Sequence, residues 1–272
     1  MYITNNPLIA QLAEEAGVDW IFVDMEFIGK NKRQGGLNTV QNHHSIEDII
    51  CIKRAIKKAK VIVRINPIHD ATSDYFSSEE EINASIKAGA DILMLPFFHT
   101  CYEVSRFINL VDGRVKTCLL LETPEAASNI DKILEIKGID MIHLGLNDLH
   151  LALGMKFMFE LLANGTVDNI CAKIKAKGIP FGFGGIASLN NGAVPGSLIL
   201  KEHYRIGSSM VIVSRSFCNT DGITVNDDIR EKFINGISEI RTLEKKIIRV
   251  LNYFESNRIK VIKSVNEIIK NK

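Results

Sequence analysis

Short runs of apolar, strand-favouring residues recur along the chain, separated by stretches whose apolar positions fall three and four apart. The runs are WIFVDME (20–26), VIVRI (61–65), DILMLP (91–96), TCLLLE (117–122), DMIHLG (140–145), IPFGFG (179–184) and SMVIVS (209–214). MYIT at the start fits an eighth, clipped strand. Near-continuous apolar runs of this length belong to strands buried on both faces of a parallel sheet. Helix starts stand between them. Asn6 precedes Pro7, and proline is preorganised for a first helical position. Ser45 with Asp48, and Ser78 with Glu81, have capping-box spacing. Ile46, Ile49, Ile52, Ile56 and Ala59 share one face of a helix expected over 46–59. Eight strand–helix units predict an α/β chain folded as a closed (β/α)8 TIM barrel; a doubly wound sheet usually carries fewer strands.

The pattern changes near residue 222. Ile229, Phe233, Ile237, Ile240 and Ile247 recur at helical spacing. Residues 1–221 are therefore read as the barrel domain and 222–272 as a C-terminal helical extension. Its apolar stripe is expected between subunits of a homo-oligomer, the alternative being a helix pair packed on its own barrel.

Composition narrows the function classes. A net charge of +1 gives no electrostatic footprint for nucleic acid. No apolar run reaches the roughly 18 residues of a membrane span, and the N-terminus lacks the basic start and cleavage site of a signal peptide. Cys51, Cys101, Cys118, Cys171 and Cys218 show no CxxC spacing. They are read as reduced structural thiols, which places the chain in the cytoplasm.

The candidate chemistry gathers where the strands end. In such barrels the active site lies at the C-terminal ends of the strands. Asp24 and Glu26 close the second strand, Arg64 the third and Glu122 the fifth, while Asn147 and Asp148 follow the sixth. Glu122 and Asp148 can share one divalent ion, because hard cations take oxygen ligands; alternatively one caps the next helix and the other pairs with a lysine. Arg64 suits bidentate recognition of a substrate carboxylate, or forms a rim salt bridge with Asp24. Gly184 and Gly185 either expose N–H groups to an anionic substrate group or make a turn needing positive φ. Arg215, at the last strand exit, would favour an anionic distal group. No lysine sits at an evident strand exit, which favours metal-assisted over imine chemistry.

GVDWIFVDME, VRINP, IKAGADILMLP and LLLETPEAASNIDKILEIKGIDMIHLGLNDL together resemble the HpcH/HpaI aldolase and citrate lyase family, over roughly residues 1–216. The resemblance implies a metal-dependent class II pyruvate aldolase, a carbon–carbon lyase. It would cleave or form a 2-keto-4-hydroxy acid from pyruvate or a related keto acid and an aldehyde, through a metal-stabilised pyruvate enolate. It implies magnesium or manganese on Glu122 and Asp148, Arg64 at the keto oxygen, and backbone around Asn147 and Asp148 for the substrate carboxylate. Asp24 and Glu26 would support water at the metal. A citrate-lyase-like enzyme acting on an acyl-CoA ester and a non-catalytic ligand-binding barrel are the alternatives.

One position departs from the family pattern. A histidine commonly follows the glutamate of the second strand and moves a proton; here Phe27 stands there. The long segment after it, with Gly35 and Gly36, ends in His43 and His44. Either can return to the site as the base, or both are surface histidines. His69 is a further candidate. His99 and His150 are read as local loop and turn residues, His143 as a barrel-interior residue, and His203 as part of a helix.

Overall fold

A computed structural model describes residues 1–30, 42–190, 192–214, 217, 227–250 and 252–271. Eight parallel strands close into a barrel in chain order. They are β1 Tyr2–Ile3, β2 Trp20–Asp24, β3 Lys60–Arg64, β4 Ile92–Leu95, β5 Lys116–Leu121, β6 Met141–Leu144, β7 Phe181–Ile186 and β8 Met210–Val213. Between them lie α1 Pro7–Glu15, α2 Ile46–Ala55, α3 Ser78–Ala88, α4 Cys101–Val111, α5 Pro124–Ser128 and α6 Ile130–Ile133. Then come α7 Leu146–Ala152, α8 Glu160–Ala163, α9 Thr166–Ala176 and α10 Gly196–Ile206. The extension holds α11 Asp227–Ile247 and α12 Phe254–Lys270. This is the expected (β/α)8 barrel with helices beyond it.

The two faces of each strand pack differently. Ile21, Val23, Val61, Val63, Leu93, Leu95, Leu119 and Leu121 point outward into the layer shared with the helices. Phe22, Ile62, Ile92, Met94, Cys118, Leu120 and Met141 form a second cluster inside the barrel. Strand side chains alternate with period 2. The next inward positions after Phe22, Ile62 and Leu120 are Asp24, Arg64 and Glu122. The apolar floor therefore ends in a charged upper layer at the strand exits.

Local signals hold with small shifts. Asn6 caps α1, its side chain accepting from the Leu8 and Ile9 N–H groups, with Pro7 in the first turn. Ser45 and Asp48 form the expected capping box on α2. The box on α3 uses Ser77 and Glu80, one residue earlier than the Ser78–Glu81 pair read from spacing. A run of three glutamates offers both registers, and Glu81 is drawn inward to bond Asn66 instead. The helix expected over 46–59 ends at Ala55. Glu14 accepts from the N–H groups of Lys57, Lys58 and Ala59, holding that segment out of helical conformation.

The extension corrects the expectation that its stripe lies between subunits. Ile229, Phe233, Ile237, Ile240 and Ile247 are buried within the chain itself. α11 packs on α1 and α10, and α12 packs on α10 and α8. Tyr2 on the outward side of β1 meets Phe233 edge to face, ring centres 4.8 Å apart. A two-residue strand leaves outward surface that α11 covers, so the stripe needs no second subunit to bury it. Phe233→Ala should lower stability by about 3–5 kcal/mol, read from urea unfolding; a smaller loss than about 1 kcal/mol would detach this helix from the core.

Candidate active site

Asp24 and Arg64 are register partners on β2 and β3. Both point inward, so the side chains meet. Arg64 Nε donates to Asp24 Oδ1 and Arg64 Nη2 to Asp24 Oδ2, each at 2.8 Å. Arg64 Nη1 stands 3.3 Å from Glu26 Oε2, and the guanidinium lies over the Phe22 ring at 5.6 Å. The rim salt bridge weighed for Arg64 is thus present. It does not exhaust the guanidinium, which carries more N–H donors than these contacts use. Burial opposes the Arg64 charge, but Asp24, Glu26 and Glu122 outweigh it and hold the group more firmly protonated than usual.

Asp24 is the hub. Its Oδ1 also accepts from the Glu26 N–H at 3.3 Å, and its Oδ2 from Asn42 Nδ2 at 2.8 Å and Lys30 Nζ at 3.2 Å. Burial alone would raise its pKa; Arg64 and Lys30 reverse this and hold the carboxyl well below the usual range. Both oxygens are fully engaged, so Asp24 is an anchor for the strand exits rather than a free acceptor. Glu26 is buried beside it and faces the same two cations, as the spacing of two predicts.

Glu122 stands at the exit of β5. Its Oε1 accepts the Phe97 N–H at 3.1 Å, and Phe97 holds a left-handed φ of 46°, a strained state that tends to collect at functional sites. Gly145 follows β6, and a Cβ there would stand 2.5 Å from Glu122 Oε2 and 2.8 Å from Glu122 Cβ. The glycine is therefore what lets the Glu122 carboxylate lie across the β6 exit. Asp148 lies in the first turn of α7 and is buried, with Asn147 Nδ2 donating to its Oδ1 at 3.4 Å.

These exits open into one cavity of about 470 Å³. Its lining combines the charged and polar groups Asp24, Lys30, Arg64, Glu122, Asn147 and Asp148 with apolar side chains from Leu146, Phe157, Met158, Phe159, Val194 and Ile199. Gly184 and Gly185 lie on its wall. Gly184 has a φ of +52°, the turn requirement, while its carbonyl accepts from His143 Nε2 at 2.9 Å. Arg215, Gly35, Gly36 and Cys218 lie outside the described residues.

The donor chemistry fits a hard divalent cation. Glu122 and Asp148 supply carboxylate oxygens from neighbouring strand exits into the same cavity. Among the described residues no group of three or more His, Cys, Asp or Glu side chains converges. Magnesium is ordinarily held by one or two carboxylates, with water and substrate completing the shell.

Of the histidines, His143 alone lines the cavity among the described residues. Neither His43 nor His44 lines the cavity, which corrects the expectation that the loop returns one of them to it. His43 is exposed. His44 Nδ1 accepts the Asp24 N–H at 2.9 Å, which ties the ring to the β2 backbone. Asn42, two residues earlier, reaches the cavity in their place. His69 is bound to the Pro67 and Phe76 carbonyls. His99 meets Glu125 at the surface. His150 bonds the Leu146 carbonyl, and His203 stacks on Phe183 at 3.8 Å. His143 is fully buried in the barrel, and burial pushes its pKa down to about 4.

Lys30 corrects the reading that no lysine attends a strand exit. It lies six residues past Asp24 in a polar stretch, where spacing marks no strand. Behind it, Asn66 Oδ1 accepts the Phe27 and Ile28 N–H groups, both at 2.9 Å. Buried Glu81 in turn accepts from Asn66 Nδ2 at 2.9 Å. Phe27 turns outward against Tyr75, ring centres 4.9 Å apart.

Asp24→Asn should cost about 3–5 kcal/mol at neutral pH by leaving buried cations unpaired. Because the folded-state pKa is depressed, the Asp24 contribution is complete above its ordinary value of 3.8 and fades as pH falls below it. Unfolding curves of wild type and variant should therefore converge in acid. A gap constant down to pH 2 would contradict the ion-pair account.

A protein of the HpcH/HpaI aldolase/citrate lyase family from Burkholderia cenocepacia J2315 superposes with a TM-score of 0.61 at 15% identity, covering 92% of this chain and 94% of that one. The HpcH/HpaI aldolase of Desulfitobacterium hafniense DCB-2 gives 0.59 at 16%, covering 93% of each chain. The citrate synthase SbnG gives 0.57 at 15%, covering 90% and 92%. At these identities the likeness establishes the fold. No curated protein matches the sequence. The model of the HpcH/HpaI aldolase/citrate lyase family matches residues 1–180, about two thirds of the chain, and the protein belongs to that family.

Proposed function

We propose that this protein is a metal-dependent carbon–carbon lyase of the class II pyruvate aldolase type, cleaving or forming a 2-keto-4-hydroxy acid. The observation that supports the reading is that Glu122, Asp148 and Arg64 line one cavity. Magnesium or manganese on Glu122 and Asp148 would supply Lewis-acid polarisation of a keto oxygen. Arg64 keeps a fixed positive charge beside the oxygen on which negative charge grows as pyruvate becomes its enolate. Asp24 and Glu26 hold that guanidinium in place, so no reorganisation is needed as the charge develops. Asn147 and the backbone at the start of α7 orient the substrate carboxylate. The apolar wall keeps water from the reacting carbon. We further propose cytoplasmic placement and a homo-oligomer, with residues 1–221 forming the catalytic barrel.

Two experiments test this reading. The first is an aldehyde screen with pyruvate and manganese, read by mass spectrometry, alongside decarboxylation of oxaloacetate, which yields the same enolate. Both activities should vanish with chelator and in Glu122→Gln and Asp148→Asn, and fall at least about 100-fold in Arg64→Ala. Full activity in stripped protein would rule out the class II assignment; oxaloacetate bound but left intact would favour a non-catalytic binding barrel. The second uses Gly145→Ala. The added methyl must push the Glu122 carboxylate aside while the barrel stays folded, so manganese affinity should drop about 10-fold or more by calorimetric titration. Wild-type affinity in that variant would remove Glu122 from the metal site.

A further inference from the structure

Lys30 is a buried cation on the wall of the candidate active site. Its side chain is 5% exposed. Nζ donates to Asp24 Oδ2 at 3.2 Å and to the Glu26 carbonyl at 3.4 Å, with Glu26 Oε2 at 3.5 Å. Three oxygens stand within 3.5 Å of Nζ, one for each ammonium N–H, and all three contacts are long. Two carboxylates facing two cations balance charge, which is a sufficient account of a lysine outside a cavity. Lys30 instead lines the cavity that Glu122 and Asp148 share.

Aldol chemistry requires a group there that gives and takes a proton on oxygen. Arg64 keeps its protons at any ordinary pH. His143 bonds the Gly184 carbonyl through Nε2, and its Nδ1 is buried out of reach; burial pushes its pKa down to about 4, so the ring is no acid in this range. Asn42, Asn147 and Ser214 are not acids in this range. Among the described residues lining the cavity, Arg64 and Lys30 are the cations, and an ammonium, unlike a guanidinium, serves in general acid–base chemistry.

We propose, building on the enolate reading above, that Lys30 is the proton donor to the oxygen of the aldehyde partner. In condensation, C3 of the pyruvate enolate bonds to the aldehyde carbon. The C=O π pair moves to oxygen, and that oxygen takes a proton from the Lys30 ammonium to become the 4-hydroxyl. The neutral amine regains its proton from water. In cleavage the ammonium first gives a proton to water; the resulting amine accepts the 4-hydroxyl proton as the C3–C4 bond breaks, the bond pair passing into the pyruvate enolate and the aldehyde leaving.

The test compares two reactions of the same enzyme. Cleavage of 4-hydroxy-2-oxopentanoate needs the proton on oxygen. Decarboxylation of oxaloacetate forms the same enolate without it. In Lys30→Met the ratio of cleavage to decarboxylation should fall about 100-fold or more. Lys30→Arg should show the same loss, because it keeps the charge and the ion pairs but cannot give up a proton. Retained cleavage in Lys30→Arg, or equal losses of both reactions in Lys30→Met, would reduce Lys30 to charge balance and overturn the proposal. Borohydride reduction of metal-free protein with pyruvate, followed by peptide mass spectrometry, adds a readout independent of turnover. No adduct is expected, and one on Lys30 would replace this role with imine formation. Wild-type decarboxylation without cleavage of this aldol, or condensation with any aldehyde of the screen, would also overturn it. Absence of decarboxylation in wild type would instead bring down the enolate reading itself.

Discussion

The bidentate contact between Asp24 and Arg64 sets the rest of the upper barrel. It joins opposite residues of neighbouring strands across a closed sheet, so neither partner can move without shifting β2 or β3. An ion pair of this depth is costly to desolvate and gains stability only when its remaining lone pairs and N–H groups are met. Asn42, Lys30 and the Glu26 N–H meet them on the Asp24 side. Glu26 and the Phe22 ring meet them on the Arg64 side. The chain leaving β2 and the chain entering α2 are thereby tied to one carboxylate, which forms the polar corner of the cavity.

Period-2 alternation decides where that corner can be. The interior of the barrel is a packed apolar plug from Phe22, Ile62, Met94 and Leu120. A charge below the plug would lie far from water; the next inward step along β2, β3 and β5 reaches the cavity. Placing Asp24, Arg64 and Glu122 one step above the plug puts them half in the low-dielectric interior, where their mutual interactions are strong, and half in reach of a substrate. Support from behind comes through Glu81 and Asn66, which fix the Phe27 and Ile28 N–H groups and so the path of the chain that carries Lys30.

Most of this was legible in the sequence for a simple reason. Buried parallel strands are short apolar runs, and the residue closing each run announces itself by its charge. All eight strands and the exit positions of Asp24, Arg64 and Glu122 are visible that way. What escaped was set by tertiary contacts. Lys30 lies in a polar stretch and reads as solvated until Asp24 and Glu26 are seen to draw it in. His43 and His44 are chemically apt, but the β2 backbone holds His44 and His43 is exposed, a placement no local pattern encodes. The α3 cap slipped by one residue because successive glutamates offer two boxes, and only the demand of Asn66 for Glu81 chooses between them. The apolar stripe of α11 reads equally well as an interface or a core face; the outward ring of Tyr2 supplies the surface it covers.

The cavity has a mixed lining, and the mixture bears on selectivity. On the proposed reading its charged groups suit a keto acid: two carboxylates for a hard cation, a guanidinium and an ammonium. Leu146, Phe157, Met158, Phe159, Val194 and Ile199 add apolar surface to the same lining. Polar contacts gain strength where apolar surface lowers the local dielectric. An apolar wall discriminates weakly between neighbours in size, at about 1–3 kcal/mol per methylene. Under the proposed aldolase reading, the keto-acid half of a substrate would therefore be recognised by charge and direction, and the other half by volume. Such a site would fix the enolate partner tightly and tolerate variation in the electrophile, which is the arrangement expected when one bond-forming step serves a range of carbonyl acceptors.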